Sequence, residues 1–174
     1  MKKLMMLMAL MVATLAVAKD KGAKKQKAAN PSVNTVAILT FSEFNRGAAG
    51  LGDPLANILC AKMSASPKVR IVERTELKKL LKEKMSNLDG IVTSKQVAKI
   101  CELSGATLLV TGYIVKEKDK TSLATTMFDA GGRKVNGVLV EGTNPLDTLA
   151  AKLSEQIMDA IAKKGENDSA EVKK

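Results

Sequence analysis

Three β-rich segments follow one another in ATLLVTGYIVKEKDKTSLATTMFDAGGRKVNGVLVE, residues 106–141. They run from Ala106 to Val115, from Thr121 to Phe128 and from Lys134 to Glu141. The two links between them are short and rich in Lys, Asp and Gly, which is typical of turns. Because links this short leave room only for antiparallel neighbours, the stretch predicts an antiparallel meander.

The segments before the meander predict strands that alternate with helices. Asn34 to Phe41 is a near-continuous apolar run of strand length, as in a central strand that is covered on both faces. After a glycine-rich loop, Asp53-Pro54 predicts a helix start, with Asp at the N-cap and Pro at the first helical position. Val69 to Val72 predicts a short second strand, and Thr75 is expected to cap the helix that follows it.

Two further helices complete the predicted order of elements. Thr93-Ser94-Lys95-Gln96 has the pattern of a capping box, and Gly105 stands where a left-handed residue ends a helix. Asn144-Pro145 opens a last helix, whose apolar stripe reaches Ile161. The order is therefore β-α-β-α-α-β-β-β-α, and helices that must cover a sheet of mixed strand direction predict a layered α/β fold.

Composition removes most enzyme classes from consideration. The chain has 174 residues, a formal net charge of +10, two cysteines, no His and no Trp. Without an imidazole there is no Ser-His-Asp or Cys-His nucleophile pair, and neither a His-ligated nor a four-thiolate zinc site. The four aromatic residues argue against a base-stacking surface for nucleic acid. We therefore expect no enzyme activity, no cofactor, no metal and no nucleic-acid partner.

The N-terminus has the three-part layout of a secretory signal peptide, residues 1–18. Lys2 and Lys3 precede an uncharged apolar run, and Ala16-Val17-Ala18 is a small-x-small cleavage site. A membrane-spanning helix needs about 20 apolar residues, and this run is shorter. The alternative to a cleaved signal peptide is a short uncleaved membrane anchor. Because no Cys follows the run, we expect a periplasmic mature chain that starts at Lys19, without a lipid and without a membrane span.

The rest of the chain divides into an arm, one domain and a tail. Residues 19–32 carry five Lys against Asp20, and this basic arm is interpreted as a solvated spacer. The alternative is a weak contact between the arm and an anionic envelope polymer. Residues 33–164 are long enough to bury a core as a single domain. Residues 165–174 are polar and are expected to fray.

Three stretches of the domain resemble the curli secretion channel (CsgG) family. Residues 69–83, VRIVERTELKKLLKE, are similar to the family's valine-valine-glutamate-arginine signature with its leucine pair. Residues 104–114, SGATLLVTGYI, resemble the family's glycine-alanine-aspartate strand entry, with Thr107 where the family usually has Asp. The opening strand VAILTF, residues 36–41, followed by Asn45 and glycines, is similar too. The stretches keep the family's order across nearly the whole domain.

The resemblance implies a non-enzymatic periplasmic protein-interaction module of an envelope assembly or secretion system, with an anticodon-binding-domain-like fold. It implies envelope proteins as partners, with self-association as a further option. The family's pore-forming members insert long hairpins into this domain and carry a lipidated Cys, and neither is expected here. The alternative is a regulator that docks onto a periplasmic cell-wall synthase, like the lipoprotein activators of penicillin-binding proteins.

The glycine-rich loop after the first strand is the main functional candidate. Its spacing fits neither a dinucleotide-binding loop nor a P-loop, so a flexible turn and a partner contact are the two interpretations. An aromatic residue and an Arg are common interface anchors. The rival interpretation of the aromatic residue places it in the core, on the inward face of the first strand. The residues expected at the partner interface are Phe44, Asn45, Arg46, Gly47, Gly50 and Leu51.

A second set of residues is expected to be structural. Glu73 favours the positive end of a helix dipole, and Arg74 can bridge a carboxylate. Cys60 and Cys101 lie at or beside apolar stripes, which favours separate thiols, although the periplasm also permits a disulfide. Two leucines of the set, at positions 80 and 81, are expected to lie under the sheet. The structural set is Glu73, Arg74, Leu80, Leu81, Gly105 and Gly112.

Overall fold

The computed structural model describes residues 33–85 and 92–171, with side chains as far as Gly165. The expected signal peptide and basic arm, residues 1–32, lie outside the described residues. The predicted order of strands and helices is confirmed, with one short strand and a 3₁₀ turn at Arg46–Ala48 added. The elements are β1 (Asn34–Ile38), β2 (Ser42–Glu43), α1 (Gly52–Ser64), β3 (Val69–Ile71), α2 (Arg74–Lys84), α3 (Ser94–Ser104), β4 (Leu108–Glu117), β5 (Lys120–Asp129), β6 (Lys134–Gly142) and α4 (Leu146–Glu171).

The strands of the described residues form one mixed sheet. Its order is β3-β1-β4-β5-β6, and β2 pairs with β4. The pairs β1–β3, β1–β4 and β2–β4 are parallel, whereas β4, β5 and β6 are antiparallel. The register places Tyr113 beside Ala124, and Ala124 beside Leu139. The mixed sheet and the antiparallel meander are therefore as predicted from the sequence.

Helices pack on both faces of the sheet. α1 and α4 pack on the face that we call face A, where the larger core cluster includes Val36 and Leu123. α2 and α3 pack on the opposite face, face B, over a smaller cluster that includes Ala37 and Leu109. Side chains alternate between the two faces along each strand, so the face of a residue follows from its position in the register.

The first predicted strand is interrupted after Ile38 by a bulge. Ile38 pairs with Val110 of β4, and Ser42 pairs with Tyr113 of the same strand. The chain therefore advances by four residues from Ile38 to Ser42, while β4 advances by only three. An extra residue of this kind moves all the side chains that follow to the opposite face. Phe41, which the sequence places in the same strand, is instead buried on face A between β1 and β2.

α1 begins earlier than predicted, at Gly52, and Asp53 is not its N-cap. The N-cap is Leu51, whose side chain makes no capping hydrogen bond. The amide of Gly52 donates instead to the carboxylate of Glu43, at 2.9 Å, so a residue of β2 performs the cap. A Cβ at position 52 would lie 2.1 Å from the carbonyl oxygen of Phe41, which explains why a glycine begins this helix.

α2 begins at Arg74, and its N-cap is Glu73 in place of the expected Thr75. The Glu73 carboxylate accepts a hydrogen bond from the amide of Glu76 at 2.8 Å. The backbone of Glu73 is extended, which is the conformation that turns a capping side chain towards the free amides of the first turn. The helix therefore starts two residues earlier than predicted, and its capping group is a carboxylate instead of a hydroxyl.

Both ends of α3 are as predicted. The Thr93 hydroxyl accepts a hydrogen bond from the amide of Gln96, and the Gln96 side chain accepts one from the amide of Thr93, which completes the capping box. Gly105 follows the helix with a φ of 69°. This is the left-handed region, where a residue without a Cβ is favoured at a helix end.

Two expectations about helix packing and length hold only in part. Leu77 is the buried residue of α2, at 2% exposure, whereas Leu80 and Leu81 are half-buried. Leu81 packs against the cluster on face B, while Leu80 lines a surface groove. Both are less buried than Leu77, because position 77 faces the sheet most directly. α4 extends to Glu171 and includes most of residues 165–174, which were expected to fray.

Candidate functional site

The loop between β2 and α1 is fixed to β4 by Asn45 and Gly47. The Asn45 side chain donates to the carbonyl oxygen of Lys116 at 3.0 Å and accepts from the Lys116 amide at 3.1 Å. Gly47 approaches the same backbone so closely that a Cβ would lie 2.2 Å from the Lys116 carbonyl oxygen. These two predicted site residues therefore hold the loop in place through groups that are turned towards the protein itself.

Phe44 is the most exposed large apolar side chain of the described residues, with 77% of its surface accessible. The bulge after Ile38 turns it to face B, so the rival interpretation of Phe44 as a core residue is wrong. Its amide donates to the carbonyl oxygen of Ile114 at 2.9 Å, which fixes its backbone. Its ring centroid lies 6.0 Å from that of Tyr113, with the two ring planes tilted by 44°.

Tyr113 and Leu139 continue this exposed surface across face B. Tyr113 is 47% exposed and Leu139 is 59% exposed. They lie on either side of Ala124, in register across three strands. Val115 follows Tyr113 on the same face and is half-buried. We call Phe44, Tyr113, Val115 and Leu139 the apolar patch.

A charged rim borders the apolar patch. The ammonium of Lys120 lies 2.9 Å from the carboxylate of Glu141, and the Ser122 hydroxyl donates to the same carboxylate at 2.7 Å. Lys120 and Ser122 hold the pKa of Glu141 below its ordinary value. With Tyr113 and Leu139, these residues line a depression of about 380 Å³. An apolar centre with a polar rim is the usual anatomy of a protein–protein interface.

The three remaining loop residues of the predicted interface have different environments. Arg46 is exposed, two residues after Phe44. Gly50 has a φ of 77° with open space around it, so its backbone conformation explains the glycine. Leu51 is half-buried against the core on face A. The structure thus exposes both Phe44 and Arg46, whereas Leu51 packs against the core on face A.

An ion cluster at the end of β1 joins α1 to α2. The Arg74 guanidinium donates to the carbonyl oxygen of Ile38 and to the Thr40 hydroxyl, both at 3.0 Å, and it pairs with Asp53. Lys78 contacts the other carboxylate oxygen of Asp53. Hydrogen bonds from Lys78 and Thr40, and the charge of Arg74, hold the pKa of Asp53 below its ordinary value. Asp53 therefore connects three elements instead of capping one.

The described residues include two free thiols and no candidate metal cluster. No group of three or more His, Cys, Asp or Glu in this part of the chain is placed to hold a metal ion. Cys60 and Cys101 are separate thiols, the arrangement that the sequence favours. Burial raises the pKa of both, that of Cys101 to about 11, and a protonated thiol is a poor nucleophile. Within the described ranges, no helix is both long and apolar enough to cross a membrane.

Tyr113 and Leu139 are the site residues that sequence reasoning misses. The signal for Leu139 is present in the pattern of β6, because Val138 and Val140 both pack towards face A. Alternation then places the leucine between them on face B. β6 lies at the edge of the sheet, and no predicted helix covers face B there. A large apolar side chain at this place is therefore a candidate contact for a partner.

Comparison with known proteins adds a family and a fold. The family model described as "Curli production assembly/transport component CsgG" matches residues 12–170. No curated protein matches the chain in sequence. The LpoB C-terminal domain from Escherichia coli has 12% identity and a TM-score of 0.54, over 64% of this chain and 83% of that one.

Two further solved structures have the same fold. The LpoB C-terminal domain from Salmonella enterica matches at 12% identity and a TM-score of 0.54, over 64% of this chain and 83% of that one. The NMR structure of E. coli LpoB matches at 12% identity and a TM-score of 0.53, over 62% of this chain and 55% of that one. At this level of identity, the likeness concerns the fold alone.

Proposed function

The chain belongs to the CsgG family, and from this we propose that it is a periplasmic protein-interaction module of a cell-envelope assembly or secretion system. The proposed activity is binding, with no reaction step. The contact surface is the apolar patch together with the exposed side chain of Arg46. The partner is another envelope protein, which covers the patch when it binds.

The exposure of Phe44 is the observation that carries this proposal. Burying apolar surface is worth about 25 cal/mol per Å², so a partner that covers Phe44 and Tyr113 gains binding energy from both rings. Asn45 and Gly47 fix the backbone on either side of Arg46. Because the loop is already held in place, little conformational entropy is lost when it binds.

Crosslinking in native cells tests the proposal. A photoreactive phenylalanine analogue at position 44 is expected to capture an envelope protein, which is then identified by mass spectrometry. The same analogue at Val135 is the matched control, because Val135 is also exposed but does not belong to the patch. Capture of the same protein with equal yield from both positions would contradict a specific surface.

Replacing both anchors measures their contribution to affinity. Phe44→Ala with Arg46→Ala should weaken binding of the captured protein by about 1 kcal/mol or more per anchor, which is at least about fivefold each. The melting temperature should stay unchanged, because both side chains are exposed. A stable double variant with normal affinity would remove the patch from the function. A lower melting temperature would instead mean that the loss of binding follows from a loss of folding stability.

The identity of the captured protein separates two versions of the proposal. A secretion component supports the assembly role, and a periplasmic cell-wall synthase supports the regulatory alternative. Size-exclusion chromatography with light scattering adds a second criterion, because a channel-like assembly requires a ring and a regulator can act as a monomer.

Export is part of the proposal, with a mature chain that begins at Lys19 and carries no lipid. The intact mass of protein from a periplasmic fraction tests it. Intact Met1 on cytoplasmic protein, or an acyl group on the mature chain, would contradict it.

A further inference from the structure

β6 contains the one Asn-Gly pair of the chain, Asn136-Gly137. It is the last strand in the order of the sheet, so only β5 borders it among the strands of the described residues. Both residues of the pair are exposed. Water therefore reaches the side chain of Asn136 and the backbone that follows it, at a place where the sheet holds the chain from one side.

The backbone amide of Gly137 lies against the side chain of Asn136. It donates a hydrogen bond to the side-chain oxygen Oδ1 of Asn136, at 2.7 Å. This oxygen is bonded to Cγ, the carbon that the following amide nitrogen attacks when an asparagine closes to a five-membered ring. Two groups that are already held close together lose little further freedom when they react, which lowers the barrier. The hydrogen bond therefore favours ring closure at this residue.

Gly137 leaves the attacking nitrogen unhindered. A Cβ at position 137 would have the carbonyl oxygen of Thr125 as its nearest neighbour, at 3.5 Å, so the space around this residue is open. A residue without a Cβ also adopts the backbone angles that ring closure needs at little steric cost. A glycine inside a strand weakens the strand, and an exposed segment with few buried contacts opens locally more easily than the core.

We propose that Asn136 is a site of spontaneous deamidation through a succinimide. The amide nitrogen of Gly137 gives its proton to hydroxide and bonds to Cγ of Asn136. The bond between Cγ and Nδ2 breaks, and the nitrogen leaves as ammonia with a proton from water, which regenerates hydroxide. Water then opens the ring: addition at Cγ gives aspartate, and addition at the main-chain carbonyl carbon gives isoaspartate.

Both products change the edge of the sheet beside the apolar patch. Each adds a negative charge, and isoaspartate also adds a methylene group to the main chain of β6. Asn136 pairs with Met127 of β5, and the pairs from Gly137 onwards follow it, so an extra main-chain atom disrupts the pairing at this point. Leu139 lies in the part that follows, so its alignment with Tyr113 changes. The effect on the patch rests on the proposed function, whereas the deamidation does not.

Peptide mapping by mass spectrometry tests the proposal on the full folded chain, incubated in neutral buffer and sampled over several days. We expect a gain of one mass unit at Asn136 that grows with time, with separate aspartyl and isoaspartyl peptides. Asn45 is the internal control, because its side chain is bonded to the backbone of Lys116 and Arg46 follows it, so it should stay intact. Equal conversion at Asn45 would overturn the proposal. Absence of product at Asn136 under conditions in which the urea-unfolded chain reacts would also overturn it.

Gly137→Ala is the matched variant, because its methyl group fits in the folded protein but hinders the approach of the nitrogen to Cγ. Its conversion should be slower by at least about tenfold, which corresponds to a barrier higher by about 1.4 kcal/mol. Unchanged conversion in this variant would overturn the proposal.

Thermal melts test the effect on β6. The isoaspartyl form of the parent, isolated by ion exchange, should melt at a lower temperature than the unmodified form. Equal melting temperatures would overturn the disruption of β6. All these measurements use the chain alone, so their outcome is independent of the partner experiment.

Discussion

Gly112→Ala is expected to destabilise the protein by about 3 kcal/mol. A Cβ at Gly112 would lie 2.1 Å from the carbonyl oxygen of Ala124 and 2.7 Å from Cε1 of Phe41. The first atom belongs to the backbone of β5, and the second to a side chain that is 2% exposed, so neither moves without displacing the core. Overpacking costs about 1–3 kcal/mol, occasionally more, and the backbone clash places this variant at the upper end.

Urea denaturation measures this loss as a lower midpoint at an unchanged slope. Gly137→Ala is the matched control, because the nearest atom to its added methyl group lies at 3.5 Å, which is an ordinary contact. Removing backbone freedom from the unfolded chain should leave this variant neutral or stabilise it by about 0.4–1 kcal/mol. An unchanged midpoint for Gly112→Ala, or equal losses in both variants, would refute the close packing of β4 that positions Tyr113.

Asp53→Asn should flatten the dependence of stability on pH in acid. The folded protein lowers the pKa of Asp53. The stability that the ionised Asp53 contributes is therefore complete above its unfolded pKa of about 3.9 and is lost as the pH falls through its folded pKa. Urea midpoints of the parent and the variant across this pH range test the prediction, and parallel pH curves for the two proteins would contradict it. Cys60 and Cys101 should react slowly with iodoacetamide until the protein unfolds, because burial raises both pKa values. Detection of a disulfide between them by mass spectrometry would contradict this. Leu77→Ala should cost about 2–5 kcal/mol and the half-buried Leu81→Ala less, and equal losses in denaturation would contradict the packing of α2.

Local patterns predicted much of the fold because the forces behind them act over a few residues. The capping box at Thr93 depends on a partner three residues along the chain. The end of α3 depends on the backbone of Gly105 alone. The meander follows from links that are too short for any parallel crossover. None of these features requires knowledge of a distant contact, and all three are present in the structure.

The start of α1 could not be predicted in this way, because distant residues determine it. Asp53 is a good N-cap by composition, but its carboxylate is engaged by Arg74 and Lys78 from α2. The amide of Gly52 is then satisfied by Glu43, a residue of β2. The sequence contains no short-range signal for these pairs, since each joins residues of different elements.

The exposure of Phe44 depends on a single inserted residue. Without the bulge, the alternation that buries Val36 and Ile38 on face A would place Phe44 on that face too. With the bulge, Phe41 occupies the core position, and Phe44 turns to face B beside Tyr113. A pattern of alternating residues cannot reveal an insertion of this kind, which is why the core and the interface interpretations of Phe44 were both open from the sequence.

The composition of face B then limits what a partner must cover. α2 and α3 pack over the cluster at Leu109, and Tyr113 lies further along the same strand face, where it stays exposed. Between Tyr113 and Leu139, β5 presents the small side chain of Ala124, flanked by Ser122 and a threonine, and these residues are compatible with water. The apolar surface is therefore confined to a small centre. Because a few central residues carry most of the energy of an interface, a partner that covers this centre gains most of the affinity that face B offers.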